Sequence, residues 1–375
     1  MTPFMLPADP RSTKKRGFVL LVVALCAIGL LGVVGLAVDL GRLYVAKGEV
    51  QTFSDSAALA ATMELDGTWD GLTRARAQVT ANRNRWNFGA NEILNREIYF
   101  AQNEAGPWEA NPTRPNGYKF TRVVAQVSVP LLFFPASLQA RGDSTGSPAA
   151  FLLLAGATAS VRADSHSGQV PQGAFREGLF PFSPFAHNNI GPHFGLAPGQ
   201  KYTLRWASNP RLNQNVCPGD NRQEIIDLAE AGGASERGFI EENSSSVIRD
   251  AIERDYQTVW RGIGDTVIMT GGAKQTQLTS LQNRINQDTD PASVTYAEYV
   301  AARRGNGRRL VGAPINTGAP DYRIVQIGAF FLLPVREYNG GGNRPFCAEY
   351  VGAWVQGSSH KGVEESGAHV VRLIK

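Results

Sequence analysis

Three groups of side chains have the types and spacing to do chemistry, and each meets an obstacle in its own sequence. Asp143-Ser144-Thr145-Gly146-Ser147 places a carboxylate and two hydroxyls at alternate positions. Asp143, Thr145 and Ser147 would suit a hard divalent cation such as Mg²⁺, which takes oxygen ligands. That motif should leave directly from a hydrophobic strand, yet Ala136-Ser137-Leu138-Gln139-Ala140-Arg141 intervenes, so a flexible Gly/Ser turn is the better reading. Asn286, Asp288 and Asp290 alternate like the start of a calcium loop. Pro291 stands where such a loop needs glycine, and Glu298 falls one residue too late to be the bidentate ligand. A loop that ends one helix and caps the next explains these acids better. His187 and His193 are six apart with no third ligand in sight, which is not a metal spacing and reads as ordinary loop histidine.

The remaining search returns negatives. The chain has no Gly-rich phosphate loop, no HExxH, no Gly-x-Ser-x-Gly and no CxxC pair. The sequence therefore assigns no catalytic residue, no metal and no cofactor. Of the three cysteines, Cys26 lies inside an apolar run, where a thiol behaves as a small hydrophobe. Cys217 and Cys347 can form one disulfide if their part of the chain is extracytoplasmic; two free buried thiols are the alternative.

The element with the strongest signal stands far from all of these. Residues 18–38 read FVLLVVALCAIGLLGVVGLAV, with no charged side chain. As a helix the run spans roughly 32 Å, which matches a hydrocarbon core of about 30 Å. Arg11, Lys14, Lys15 and Arg16 precede it against one acid, Asp9, and mixed charges follow. The positive-inside bias thus predicts a cytoplasmic N-terminus, with everything after Val38 sent across the membrane. A cleaved secretory signal would have a shorter apolar region. A lipid anchor at Cys26 would need a small residue before it, where Leu25 stands. Lys14-Lys15-Arg16-Gly17-Phe18 looks like a prepilin-peptidase junction, but Val22 occupies the place of the pilin glutamate, so regular entry into a filament is not expected.

Helical periodicity continues beyond the run, with Leu40, Leu43, Tyr44, Val50, Phe53 and Ala57 expected to form one apolar face. Ala57, Ala58, Ala60 and Ala61 then cluster, either to let a partner helix approach or through plain helix propensity. Arg16-Gly17, the apolar run and AVDLGRLYVAKGEVQTFSDSAALAAT (37–62) resemble the N-terminal domain of the Tad (tight adherence, Flp) pilus-assembly TadE/TadG-like family. Asp39, Gly41, Arg42, Tyr44, Gln51, Asp55, Ala57, Ala58, Leu59 and Ala60 carry the resemblance. Weaker echoes of TadG-related proteins lie in VAQVSVPLLFF (124–134), ATASVRA, GNGRRLVGAPI and IGAFFLLPV. The resemblance implies a single-pass protein of the bacterial inner membrane whose periplasmic part serves pilus assembly or adhesion. Its partners would be pilus-system membrane proteins or a second copy, met through the N-terminal helix.

The chain has 375 residues, 37 basic and 33 acidic, a balance too mild and scattered to argue for nucleic acid. With 40 glycines and 21 prolines, turns and short strands are favoured over a helical bundle. Strand-like stretches are expected at 97–102, 118–134, 157–163, 201–207, 265–270, 322–338, 350–356 and 369–374. Helices are expected at 72–86, 222–231, 240–260, 275–286 and 293–304, and Phe180–Phe185 as an irregular core-crossing segment. Strands on both sides of a helical middle predict an α+β class. The expected organisation is a cytoplasmic tip (1–16), a transmembrane and extended helix (17–62) and an extracytoplasmic α+β region (63–375) that can hold two subdomains. The expected function is non-enzymatic, in pilus assembly or surface adhesion. Competing readings are a membrane-tethered adhesin with a von Willebrand-type metal site at Asp143, Thr145 and Ser147, and a periplasmic hydrolase whose site is assembled from distant residues.

Overall fold

The computed structural model describes residues 13–82, 85–133, 158–210, 215–232, 236–240, 244–257, 259–272, 276–338 and 344–374. The chain opens with a single helix, α1 (Thr13–Met63), of 51 residues. Gly29, Gly32 and Gly35 would each weaken a helix in water by about 1 kcal/mol. In an apolar surrounding no water competes for the backbone, and the helix closes all its own hydrogen bonds. Gly67, at φ +80°, turns the chain, and α2 (Trp69–Ala81) begins with the Thr68 hydroxyl accepting from the Gly71 amide at 3.0 Å. There follow β1 (Asn95–Ala101), β2 (Phe120–Pro130), β3 (Thr158–Pro171), β4 (Lys201–Arg205), α3 (Gln223–Ala231), β5 (Glu236–Ile240) and α4 (Ser245–Arg254). The rest comprises β6 (Met269–Gly271), α5 (Thr276–Asn286), α6 (Tyr296–Ala302), β7 (Leu310–Asn316), β8 (Ile324–Leu332), β9 (Phe346–Gly352), β10 (Trp354–Val355) and β11 (Ala368–Leu373). The fold is α+β: a long apolar N-terminal helix, then a strand-rich mixed region.

Two sheets dominate the described residues. One has the strand order β10-β11-β3-β2-β1, the other β7-β8-β9-β4. In the second every neighbouring pair is antiparallel, with Gly312 opposite Ala329 and Cys347 opposite Thr203. The chain divides into two compact units, one of Met1–Ser54, Arg83–Arg96 and Val124–Asp164, the other of Asp55–Asn82, Glu97–Val123 and Ser165–Lys375.

The second unit holds a broad core. Phe182, Phe239, Phe330, Phe346 and Tyr350 are fully or almost fully buried together with Ile248, Ile252, Leu281 and Ile285 from α4 and α5. Phe180–Phe185 runs through it as an irregular segment whose backbone is bonded to the surrounding chain at several points. Phe180 N–H donates to Gly312 O at 2.8 Å and Ser183 N–H to Gly238 O at 2.9 Å. Cys217 and Cys347 are joined by a disulfide, with Cα atoms 5.7 Å apart across 130 residues of sequence.

Three elements depart from the expectations. The polar helix expected to reach residue 86 stops at Ala81, and Trp86 pairs with Asn91 in a short hairpin. Asn87, Phe88 and Gly89 all take positive φ there, which a helix excludes. The helix expected over 240–260 is shortened at both ends to α4, because Ile240 belongs to β5 and Asp255, in left-handed backbone, ends the helix. Finally β7, all of whose residues are buried, was not expected as a strand. Its Gly312 and Pro314 are residue types that strand interiors disfavour. The structure needs the first because the Trp354 ring lies against Gly312, where any Cβ would collide with it.

Candidate membrane-proximal site

The residues that carried the family resemblance lie along α1 beyond the apolar run, and they fall on opposing faces. Asp39 is 1% exposed. Its two carboxylate oxygens each accept one backbone N–H, from Leu132 and from Phe133, both at 2.8 Å. One turn on, Arg42 donates through Nη1 to Pro130 O at 2.7 Å. Residues three apart share a helix face, so the Asp39–Arg42 pair grips the end of β2 like a clamp. Farther along the same unit, Lys47 Nζ donates to Arg162 O at 2.6 Å, and the Glu49 carboxylate accepts from Asn87 N (2.6 Å) and Phe88 N (3.0 Å). Charged residues of this helix therefore bond to backbone brought from distant parts of the same unit. Lys47 and Glu49 were missed as site residues. The signal that finds them is a run of charges on a helix flanked by turn-rich chain.

In the second unit the last turns of α1 are buried by their own chain. Asp55 accepts from Ser165 Oγ at 2.5 Å. Ala57, Ala58 and Ala61 are fully buried. Their small side chains leave room for Thr121 Oγ1 to donate to Ala58 O at 3.0 Å and to bond Thr62 Oγ1 at 2.7 Å. Gln169 Nε2 donates to Thr62 O and Leu65 O at 3.1 and 2.7 Å. The alanine cluster thus lets this chain's own strand come close, at the positions where a partner helix was one expectation.

The expected single apolar face is two faces. Val50, Phe53 and Ala57 are buried, whereas Leu40 is exposed and Tyr44 is 83% exposed. Gly41 has open space where a side chain would stand, as does Gly48. Gln51 is half-buried.

The other candidates resolve into structure. Asp288 accepts from Asp290 N (2.8 Å), Tyr299 Oη (2.7 Å) and Arg309 N (3.1 Å). Asp290 accepts from Ser293 Oγ at 2.6 Å and from Arg304 at 3.1 Å, and these groups outweigh the cost of burial to hold its carboxyl down at about 2. The loop between α5 and α6 uses these acids as internal hydrogen-bond acceptors. His187 Nε2 bonds Asp220 at 2.7 Å and His193 Nδ1 bonds the Tyr350 hydroxyl at 3.1 Å. Among the described residues no group of three or more His, Cys, Asp or Glu could hold a metal ion. Asp143, Thr145 and Ser147 lie outside the described residues.

A cleft of about 490 Å³ is lined in part by Arg254, Asp255, Arg284, Arg308, Trp354 and Ser358. Asp255 is committed to Arg284 at 2.6 Å and Arg308 at 3.0 Å, and the Ser358 hydroxyl donates to Met63 O. Glu177, Gln356 and Ser359 are among its other lining residues.

One helix of the described residues is long and apolar enough to cross a membrane, with a mean hydropathy of 3.0 in its most apolar window. Its continuation is the clamp. Residues 17–64 match the Tad family model, described as "Putative Flp pilus-assembly TadE/G-like". The Tad match covers α1 and ends as the helix ends, leaving residues 65–375 outside it. No curated protein and no solved structure matches. The Tad-like segment supports involvement in Flp pilus assembly, and its apolar half fits a single-pass membrane protein.

Proposed function

We propose that this protein is a non-enzymatic, membrane-anchored component of Flp pilus assembly or of the adhesion it supports. The observation that carries the reading is the coincidence of the Tad match with one helix, apolar at its start and clamped to folded chain at its end. In this reading residues 1–16 are a cytoplasmic tip, 17–62 the anchor and assembly helix, and 63–375 the extracytoplasmic region in the periplasm. Two facts support that orientation: the basic residues Arg11, Lys14, Lys15 and Arg16 before the span, and the Cys217–Cys347 disulfide, a bond that oxidising compartments favour. Partners are pilus-system membrane proteins or a second copy, meeting the helix on the side of Gly41 and Tyr44.

A photoreactive amino acid at position 44 tests this, whereas Phe53, being buried, does not suit a crosslinker. In native membranes the Tyr44 probe should capture a pilus-system membrane protein or a second copy. Recovery of the uncrosslinked chain alone, in cells that assemble pili, would count against the reading. The N-terminal sequence of the mature protein is the companion measurement: an intact Met1 end means a permanent anchor, and a new Phe18 end means pilin-like processing.

A further inference from the structure

We infer that Leu132 and Phe133 form an apolar wedge that enters the lipid bilayer beside the outer end of the span, held there by the Asp39–Arg42 clamp. The inference rests on the reading of residues 18–38 as membrane-spanning and adds a second membrane contact from a distant part of the chain.

The geometry comes from one compact unit. If the span fills the hydrocarbon core, Asp39 stands at its far boundary. The Phe133 side chain lies on Gly35, where an added Cβ would fall 2.5 Å from Phe133 Cβ and 2.7 Å from Cγ. Gly35 is four residues before Asp39, about 6 Å back along the helix and inside the apolar slab. A glycine at that point lets the ring lie directly on the helix backbone. Leu132 and Phe133 nonetheless remain 63% and 59% exposed, and Leu36 and Val38, one and three residues beyond Gly35 in the apolar run, are exposed too. The exposed surface of the wedge is therefore continuous with the surface of the span, and the occupant that covers one, lipid acyl chains, covers the other.

Backbone chemistry points the same way. Non-helical chain is tolerated at membrane depth only where its polar groups are satisfied within the protein. Here Leu132 N–H and Phe133 N–H go to the two oxygens of Asp39, Pro130 has no N–H, and Pro130 O accepts from Arg42. An acid and a base at a membrane boundary are costly unless bonded, and each uses its charge on this backbone. The clamp thus delivers two large apolar side chains to the bilayer with both of their N–H groups bonded.

The test uses the full chain in phosphatidylcholine/phosphatidylglycerol vesicles, with Cys26→Ala to remove the free thiol and single cysteines carrying an environment-sensitive fluorophore. Labels go at Leu30 in mid-span, at Phe133 and at Glu92, an exposed residue of the same unit. Quenching by brominated lipid should be several-fold stronger at positions 30 and 133 than at 92, with shallow bromines more effective at 133 and deep ones at 30. Adding Asp39→Ala should move the label at 133 towards aqueous iodide and leave the label at 30 unchanged. Lipid quenching at 30 with iodide quenching at 133 would overturn the wedge and leave the span standing. Loss of lipid quenching at both positions would overturn the span and the wedge with it. Shielding of 133 from both quenchers would mean a protein covers it, and would also overturn the inference.

Discussion

Asp39 and Arg309 show the same device at two points: a charged side chain bonds to backbone from distant parts of the chain. Arg309, 0% exposed, donates through Nε to Leu332 O (2.9 Å), Nη1 to Asp290 O (2.7 Å) and Nη2 to Ser293 O (2.7 Å), with its guanidinium 4.3 Å above the Phe331 ring. A lysine ammonium cannot fork to three carbonyls in these directions. Arg309→Lys is therefore expected to cost about 2–4 kcal/mol, from carbonyls left buried and unpaired, as a lowered midpoint in urea unfolding. Beside it, Asp290 gives a pH dependence. Burial opposes its charge, but Ser293, Arg304 and the Ser293 and Ala292 amides outweigh that and hold it at about 2, below the ordinary 3.8. A depressed carboxyl contributes stability that is present above pH 3.8 and lost as pH falls through about 2. Discounted for the exposed Arg304, the contribution is about 1–2 kcal/mol. Asp290→Asn should thus lower stability at neutral pH and flatten its decline between pH 4 and 2, as followed by circular dichroism. Equal slopes for the two proteins would remove Asp290 from the acid response. The acids of this loop were legible as a loop signature; that the Arg309 guanidinium would hold the loop's carbonyls was not, since nothing in sequence spacing announces a buried guanidinium.

Helix α1 is where sequence said most, and where it misled about faces. The apolar run, its length and its continuation to about residue 62 were all readable, because a helix in lipid needs only composition and length to be recognised. The side on which each residue lies was not. Leu40 and Tyr44 look like core by type, yet both are exposed, and the buried side holds Val50, Phe53 and Ala57. Non-local pairing hid β7, whose glycine and proline make sense only once Trp354 and the Phe180–Phe185 segment lie beside it. At the scale of the element the structure makes a sharp demand at Ala58. Thr121 reaches the Ala58 carbonyl directly, so a larger side chain must push β2 away. Ala58→Leu should destabilise the protein by about 1–3 kcal/mol through overpacking, while Gly41→Ala, facing open space, should leave thermal unfolding almost unchanged. If the two variants unfold at the same temperature, the close packing of α1 on its own strand is not what limits this helix.

At the scale of the whole molecule the disulfide joins two questions, stability and compartment. Cys217 and Cys347 are separated by 130 residues and fix the chain ahead of α3 to β9, the strand that also pairs with β4 and β8. A cross-link over so long a loop removes much conformational freedom from the unfolded chain, and losing one of this kind costs about 2–5 kcal/mol. Cys217→Ser with Cys347→Ser should therefore lower the unfolding midpoint, and a reducing agent should lower the parent's and leave the double variant's unchanged. The same pair reports which side of the membrane the globular part occupies. The four basic residues before the span should hold the N-terminus in the cytoplasm, so in intact cells the cysteines should resist alkylation until a reductant is added. Replacing Arg11, Lys14, Lys15 and Arg16 with neutral residues and adding three lysines after Met63 should send a fraction of the chains in the opposite orientation. In that fraction Cys217 and Cys347 meet a reducing cytoplasm and should be alkylated without reductant once the protein is unfolded. Free thiols in the unaltered protein, by contrast, would place the globular part on the cytoplasmic side and reverse the proposed orientation while leaving the anchor and the Tad match intact.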